Sequence, residues 1–554
     1  MTSSSWESVE LDVESLFDRR ADKRWERVCV ADIIERLTWS VPDREAIVAA
    51  PGACAGPAYE RLTFRELDEL MNRIANGLVE SGLERGARVL MVCENTVEGY
   101  AFKLAAAKVG VVVVPLNPQL APDVVEHLVR RVEPRLIVTD AELWPRVAQA
   151  FEAMALTPDV TIEIGGPAVP GSRSFDDFVA DRPTTEPEAT VHGDDIWEIL
   201  FTSGTTAMPK GVMGSHTSAV LAAHGFALTL SRGVRFESDV KVATFLPMMY
   251  HVGHLVFALS AFVCGGSVVL GRAPDPVAIA AAIEAEKVTA LWGGSPAMMK
   301  ALAQVLEAGE YDARSLTVAV YGWAALPPGV LQILKKHAPA LEVVEIFGQT
   351  ESITCHRFWP GMWPEVYEAT APQQNYVGLP SPLLASRIVD QEGEPVDLAG
   401  LAGEAVYRSP VMTAGYYLDE AATREAFRGG WFHSGDSCLY DDDGLRVMVD
   451  RYKDLVKSGG ENVSTIRVEA VLSLHPGVQK VAVVGVPDDR WGEAVTAVVV
   501  PVDPDGVTEG ELVAFARERL AGFEVPKRVL FVDALPETVG GKVMKYRIRQ
   551  TLQS

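Results

Sequence analysis

Residues 201–211 read FTSGTTAMPKG. The stretch carries hydroxyls at Thr202, Ser203, Thr205 and Thr206, glycines at Gly204 and Gly211, and one cation, Lys210. Glycine lets backbone N–H groups converge on an anion, hydroxyls donate to phosphate oxygens, and a lysine adds a point charge. These are the parts of a phosphate-binding loop. The Walker pattern is G-x-x-x-x-G-K-[ST] with a helix directly behind it. Gly204 and Lys210 have that separation, but Pro209 replaces the second glycine and Gly211 stands where a magnesium-binding hydroxyl is needed. Val212-Met-Gly214, which follows, does not open a helix. The expected chemistry is phosphate handling by a loop of another class.

The elements that must hold this loop belong to a long chain. Its 554 residues predict several compact units. With 48% hydrophobic and 23% charged residues, large buried cores are expected. Seventy-five acids against 50 bases leave a net charge of −25, which disfavours nucleic acid and anionic membranes as partners. The six cysteines are scattered without a Cys-x-x-Cys pair, so neither a zinc site nor a disulfide framework is expected. Residues 1–15 are polar and acidic, without a signal-peptide pattern. The longest apolar run, 255–270, is broken by Gly265 and Gly266 and falls short of the ~20 residues a membrane-spanning helix needs. The expected location is cytoplasmic, with no membrane insertion.

Thr63-Phe-Arg-Glu66 is a capping box, followed by Leu67, Leu70, Ile74 and Leu78 at helical spacing. Strands at 88–93, 111–114 and 136–139 alternate with helices at 97–108 and 123–131, and further strands are expected at 242–246, 267–270 and 316–320. Such alternation predicts crossover units and mostly parallel sheets. After about residue 450 the rhythm changes to helices at 468–474 and 511–520 with strands at 478–485, 495–500 and 529–532. The fold class expected is α/β: a large multi-subdomain N-terminal part over 1–452 and a small, mobile α+β domain over 453–554.

Further motifs follow the loop in order: Pro247-Met-Met-Tyr-His-Val-Gly-His254, Tyr321-Gly-Trp-Ala-Ala-Leu326, Phe347-Gly-Gln-Thr-Glu351, Trp431-Phe-His-Ser-Gly-Asp436, Asp450-Arg-Tyr-Lys-Asp454, Gly459-Gly-Glu-Asn462 and Pro536-Glu-Thr-Val-Gly-Gly-Lys542. Together with the loop, and over nearly the whole chain, they resemble the adenylate-forming superfamily: acyl-CoA synthetases, luciferases and the adenylation domains of peptide synthetases. The resemblance implies that Thr202, Ser203, Gly204, Thr205, Thr206 and Lys210 hold the phosphates of ATP. Phe347 and Gly348, with Gly322, Trp323 and Ala324, flank the adenine. Thr350 donates to the α-phosphate, and Glu351 holds Mg2+. Asp436 accepts from the ribose hydroxyls, Arg451 contacts ribose and phosphate, and Lys453 is the hinge. Lys542 is the adenylation lysine, which stabilises charge as the carboxylate attacks the α-phosphate. Tyr250, His251 and Trp323 line the acyl pocket, with His251 gating the thiol tunnel. Gly459, Gly460, Trp491 and Lys527 meet coenzyme A.

The implied activity is an AMP-forming acid–thiol ligase acting on an apolar carboxylic acid with ATP/AMP, Mg2+ and coenzyme A. Two alternatives share the fold: a ligase that only makes the thioester from acyl-AMP supplied by an upstream adenylating partner, and a non-catalytic acyl-AMP or CoA binding protein. A homodimer is compatible with either. Four residues depart from the family pattern. Ala207 replaces a glycine of the phosphate loop, Trp323 replaces the second glycine of a G-G-A-x-L loop, Arg467 replaces an acid, and Glu524 stands where bases are frequent. If position 207 needs a left-handed backbone, alanine costs roughly 1–2 kcal/mol there. The adenylation step is therefore expected to be the weaker half, and Ala207→Gly is expected to raise acid-dependent pyrophosphate release. An unchanged rate in a folded variant would remove this expectation.

Overall fold

The computed structural model describes residues 27–117, 120, 122–154, 160–166, 169, 171–202, 209–248, 250–504, 506–537 and 543–553. The capping box forms as its spacing requires. Thr63 accepts from the Glu66 N–H, and the Glu66 carboxylate takes the Thr63 N–H at 2.8 Å, so the helix Phe64–Glu80 starts with its first donors satisfied. The helix Val97–Lys108 is buried on every side, including Lys103 and Lys108. A buried ammonium needs a counter-charge. Lys103 meets Glu198 at 3.0 Å, and Lys108 meets Asp68 at 2.7 Å and Glu186 at 2.8 Å.

Three sheets organise the described residues. The seven-stranded sheet runs from Arg173–Ser174 at one edge to Gly211–Ser215 at the other, and all its pairs are parallel except the last, between Ile196–Phe201 and Gly211–Ser215. The thirteen-stranded sheet carries a parallel core from Glu45–Ala49 to Glu342–Gln349. Between the two sheets lies the main apolar core, which includes Leu67, Phe102, Phe226 and Phe257 from the intervening helices. A second core covers the outer face of the large sheet under Pro276–Glu286, Pro296–Glu307 and Pro328–His337, and a third covers the smaller one under Pro122–Val132. The α/β class read from the sequence is the observed one.

The expectation of mostly parallel sheets fails for the large sheet. Beyond Glu342–Gln349, the strands Ile353–Phe358, Asn375–Pro380, Arg446–Arg451, Phe432–Tyr440, Gly403–Arg408 and Ala385–Val389 all pair antiparallel. Several of these strands are joined by short turns, and such turns return the chain antiparallel. The strand expected at 316–320 is Val318–Gly322, which leaves Trp323 just past its end. The apolar run is cut into a π-helix, Val252–Leu259, a short helix, Ser260–Val263, and the strand Ser267–Leu270. Among the described residues no helix is long and apolar enough to cross a membrane.

The chain leaves the large sheet at Arg451 and enters a five-stranded sheet at Val456. Helices Thr465–Leu472 and Glu509–Arg517 cover one face of that sheet, and Lys545–Gln553 packs on the other. At the passage, Asp450 Oδ2 accepts from the Thr465 N–H at 2.6 Å and from its hydroxyl at 2.7 Å. Lys453 is exposed in the turn between the two sheets.

Candidate active site

Phe201 lies opposite Gly211 in the antiparallel pair that carries the loop expected to bind phosphate. Just beyond, the Thr202 N–H donates to the Lys210 carbonyl at 3.0 Å, and the Lys210 N–H donates to Thr202 Oγ1 at 3.3 Å. The two ends of the loop are thereby clamped together. Ser203, Gly204, Thr205, Thr206 and Ala207 lie outside the described residues. The Lys210 ammonium sits 4.5 Å above the ring of Tyr416, whose hydroxyl donates to Glu351 Oε1 at 2.9 Å. Burial and the Glu351 charge push the Tyr416 hydroxyl's pKa up, so it stays a donor. No lysine or arginine among the described residues forms an ion pair with Glu351. Tyr416 thus joins the loop's cation to the carboxylate. Sequence reasoning misses it, because a tyrosine after a glycine carries no periodic or motif signal and its partner lies 65 positions away.

Asp436 and Arg451 are cross-strand partners, with Arg451 Nε 3.1 Å from Asp436 Oδ1. Asp436 is 1% exposed. Its negative charge, acting on the partly exposed guanidinium, raises the Arg451 pKa further. The Gln349 side-chain amide donates to Asp436 Oδ2 and, at 2.9 Å, to the Ser434 carbonyl. Gln349 is the variable position inside the Phe347–Glu351 motif, and only this contact marks it. It ties the Phe347–Glu351 motif to Asp436.

Phe347 faces His356 across the hairpin, with ring centroids 6.4 Å apart. Gly348 has no room for a side chain, since a Cβ there would lie 1.8 Å from the Ile353 carbonyl. One strand away, a Cβ on Gly322 would lie 2.9 Å from the Ile346 carbonyl. Trp323 takes φ = +75°, a left-handed conformation that costs a non-glycine residue roughly 1–2 kcal/mol. Its indole is 42% exposed and stands edge-on to Trp292, with centroids 5.7 Å apart. The chain therefore carries a strained, projecting indole at this loop, with Ala324 next to it.

His251 caps the π-helix Val252–Leu259, and the partly buried Tyr250 before it packs on the main core. His251 and Thr350 line one small cavity of about 20 Å³, room for roughly one water, together with Glu198 and Ile353. Burial, with His254 and Lys103 nearby, pulls the His251 imidazole down to about 4, so it is neutral at neutral pH. His254 Nε2 meets Glu198 at 3.1 Å. Burial alone would push the Glu198 carboxyl up, but Lys103 and His254 hold it down at about 2.

The small domain gathers its own predicted residues. Gly459 takes φ = +63°, and its N–H donates to the Trp491 carbonyl at 2.8 Å. A Cβ on Gly459 would lie 3.3 Å from the Trp491 ring, so glycine keeps that ring's face clear. Gly460 takes φ = +90°. Lys527 Nζ lies 5.1 Å above the same indole, held by the carbonyls of Gly522, Phe523 and Val525 at 2.8–3.3 Å. Lys542 lies outside the described residues; Glu537 and Val543, on either side of it, are bridged. Two departures from the family pattern meet here, as Arg467 Nε pairs with Glu524 Oε1 at 3.0 Å. Glu524 is 8% exposed, and Arg467 offsets a charge that would otherwise oppose an approaching phosphate. Arg467→Ala is expected to raise KM for coenzyme A about fivefold, the ~1 kcal/mol scale of a partly exposed pair, and adding Glu524→Gln should restore it. Equal KM values in all three proteins would exclude this coupling.

Residues 36–417 match the family model described as AMP-binding enzyme, and residues 467–542 match the AMP-binding enzyme C-terminal domain. The chain belongs to the AMP-binding enzyme family. Within the adenylate-forming superfamily, it is 32% identical over 511 residues to a feruloyl-CoA synthase from Amycolatopsis sp, covering 92% of this chain and 98% of that one. Over 520 residues it is 31% identical to a long-chain-fatty-acid–CoA ligase from Mycobacterium tuberculosis, covering 93% and 98%. Its fold matches ATP-bound MatB from Rhodopseudomonas palustris with a TM-score of 0.78 at 28% identity, covering 94% of this chain and 98% of that one. This AMP-binding enzyme is an acid–thiol ligase of the AMP-forming type.

Proposed function

We propose that this enzyme joins a carboxylic acid with an apolar body to coenzyme A through an acyl-AMP intermediate, and that adenylation is its weaker half-reaction. The observation that carries the reading is the linked chain Lys210–Tyr416–Glu351 beside the pair of buried Asp436 with partly exposed Arg451. A cation and a carboxylate without an ion-pair partner stand at the phosphate end, and a second carboxylate, held by Arg451 and Gln349, stands at the ribose end. Glu351 fits a magnesium ligand, since one of its oxygens is oriented by Tyr416 and no lysine or arginine among the described residues forms an ion pair with it, Arg451 acting on it only at longer range. A magnesium ion held there would neutralise phosphate charge.

In the first step the acid's carboxylate attacks the α-phosphorus and pyrophosphate leaves. Thr350 orients the α-phosphate, and Lys542 steadies the charge that develops there. In the second step the thiol sulfur attacks the acyl carbon, the bond to AMP breaks, and the thiol proton is lost. The neutral His251 at the boundary leaves that path free of a second positive charge. The domain turn about Lys453, with the division near residues 452 and 453, exchanges Lys542 for the group Gly459, Gly460, Trp491 and Lys527. The strained Trp323 on the nucleotide side supports a slow first step.

Two measurements test this together: pyrophosphate release from a panel of acids with ATP, and acyl-CoA formation from supplied acyl-adenylates. Release that depends on the acid, slower than thioester formation, is the expected result. Thioester formed only from supplied adenylate would replace this reading with a thioester-only ligase fed by a partner. Neither product from any acid or adenylate would leave a binding protein.

A further inference from the structure

Arg357 is a largely buried cation with no carboxylate paired to it among the described residues. Its Nη1 donates to Thr229 Oγ1 at 2.6 Å and its Nη2 to the Gly225 carbonyl at 3.0 Å, while its Nε is buried with no acceptor. Burial pulls its pKa down to about 10, and the one charged group among the described residues that adds to this is another cation, Arg232. In a chain with 75 acidic side chains against 50 basic ones, a carboxylate is the partner in surplus. Yet none among the described residues reaches this guanidinium. A largely buried charge left unpaired by these residues points to a counter-ion from outside.

The position says where that anion would come from. Gly322, Ile346 and Arg357 are register partners on three adjacent strands, so they form one row on one face of the sheet. That row begins beside Trp323 and ends at Arg357, roughly 10 Å away at two strand spacings. Aromatic rings mark the same face. The Arg357 guanidinium lies 5.2 Å over Phe226, and Phe226, Phe257, Trp292 and Trp323 follow one another with centroids 5.3–5.7 Å apart. The helix His216–Leu230 closes over the row, and beside Gly225, whose carbonyl Arg357 holds, a Cβ would meet nothing within 4 Å. Open space, an aromatic wall and an unpaired guanidinium thus coincide.

We propose that Arg357 forms the far end of the acyl site and holds a second carboxylate of the substrate, so that the acid activated is a dicarboxylic acid with an apolar body. This rests on the ligase reading above. One carboxylate is presented to the nucleotide beside Thr350 and Trp323. The other takes the free Nε–H of Arg357 and offsets the positive charge it shares with Arg232. The rings bind the apolar stretch between them.

Matched acids test it: a dicarboxylic acid with its carboxylates ~8–10 Å apart, its monomethyl ester, and the monocarboxylic acid of equal length, a span set by two strand spacings. Wild-type kcat/KM should favour the diacid, and Arg357→Met should lower the diacid value about 10- to 100-fold, as loss of a charge-assisted hydrogen bond predicts, while changing the monoacid value less than threefold. Gly225→Leu, which fills the open space and suits a helix, should exclude the diacid without unfolding the protein. Calorimetric binding of the diacid in the presence of AMP, compared between wild type and Arg357→Met, reads the same contact without turnover. A wild-type preference for the monoacid, or a diacid-to-monoacid ratio and diacid binding unchanged by Arg357→Met, would overturn the proposal. Turnover of monoacids with such a result would leave the ligase reading intact. Diacid binding lost in Arg357→Met, with no turnover of any acid, would uphold Arg357 and remove the ligase reading.

Discussion

Asp436→Asn should lower kcat/KM for ATP about a hundredfold, the scale of ~2–3 kcal/mol lost when one partner of a buried charge pair is neutralised. The carboxylate is 1% exposed and carries two duties at once. It pairs with Arg451 at 3.1 Å, and it receives the Gln349 amide. Asparagine keeps the shape but presents one acceptor and one donor, so the donor faces either Arg451 or Gln349. In the proposed reading Asp436 holds the ribose in both half-reactions. Thioester formation from supplied acyl-adenylate should therefore fall by a similar factor, read as a rise in KM for the adenylate. Gln349→Ala should give a smaller loss of the same kind, since it removes an orienting bond and leaves the charge in place. Should Asp436→Asn slow pyrophosphate release and leave adenylate-driven thioester formation untouched, Asp436 does not hold the ribose.

Lys103→Met should destabilise the folded chain by about 3–5 kcal/mol, because it leaves Glu198 charged, buried and without its lysine. Glu198 is 3% exposed, and Lys103, 3.0 Å away, is fully buried. The double variant Lys103→Met with Glu198→Leu should recover most of that loss, as two apolar side chains need no counter-charge. Urea midpoints of the four proteins read this directly. The pH dependence has a definite sign. In the wild type the Glu198 carboxyl is held at about 2 against an ordinary 4.5, so its stabilisation is present above 4.5 and is lost as the pH falls toward 2. In Lys103→Met the groups left facing Glu198 are His254 and, across the cavity, the neutral His251. Protonation of either Glu198 or His254 then relieves the buried charge. The folded variant takes up a proton more readily than the unfolded chain, and its deficit should shrink between pH 8 and pH 5. A deficit independent of pH, with no recovery in the double variant, would show that Lys103 acts by packing alone.

The same pair has a place in the site. Glu198 lines the cavity with His251 and Thr350, and His254 sits within the π-helix that His251 caps. Loss of the lysine should therefore reach the gate as well as the core. Sequence reasoning expected His251 to line the acyl pocket but had no means of pairing His254 with Glu198.

What the sequence by itself determined is local. Thr63 and Glu66 are three residues apart, and the capping box between them formed. The loop at 201–211 pointed to phosphate chemistry because its hydroxyls, glycines and lysine fall within eleven successive residues. The alternation of strands and helices identified the α/β class, and the order of motifs identified the family. The tertiary structure alone decided which distant groups meet: Tyr416 with Lys210 and Glu351, Gln349 with Asp436, Arg467 with Glu524, Lys103 with Glu198, and Arg357 with no acid. It also decided that half of the large sheet runs antiparallel. The reason is physical. A helix or turn is specified by neighbours within a few residues, whereas the pairing of buried charges depends on which strands lie side by side, and that order is set by how the whole apolar core closes.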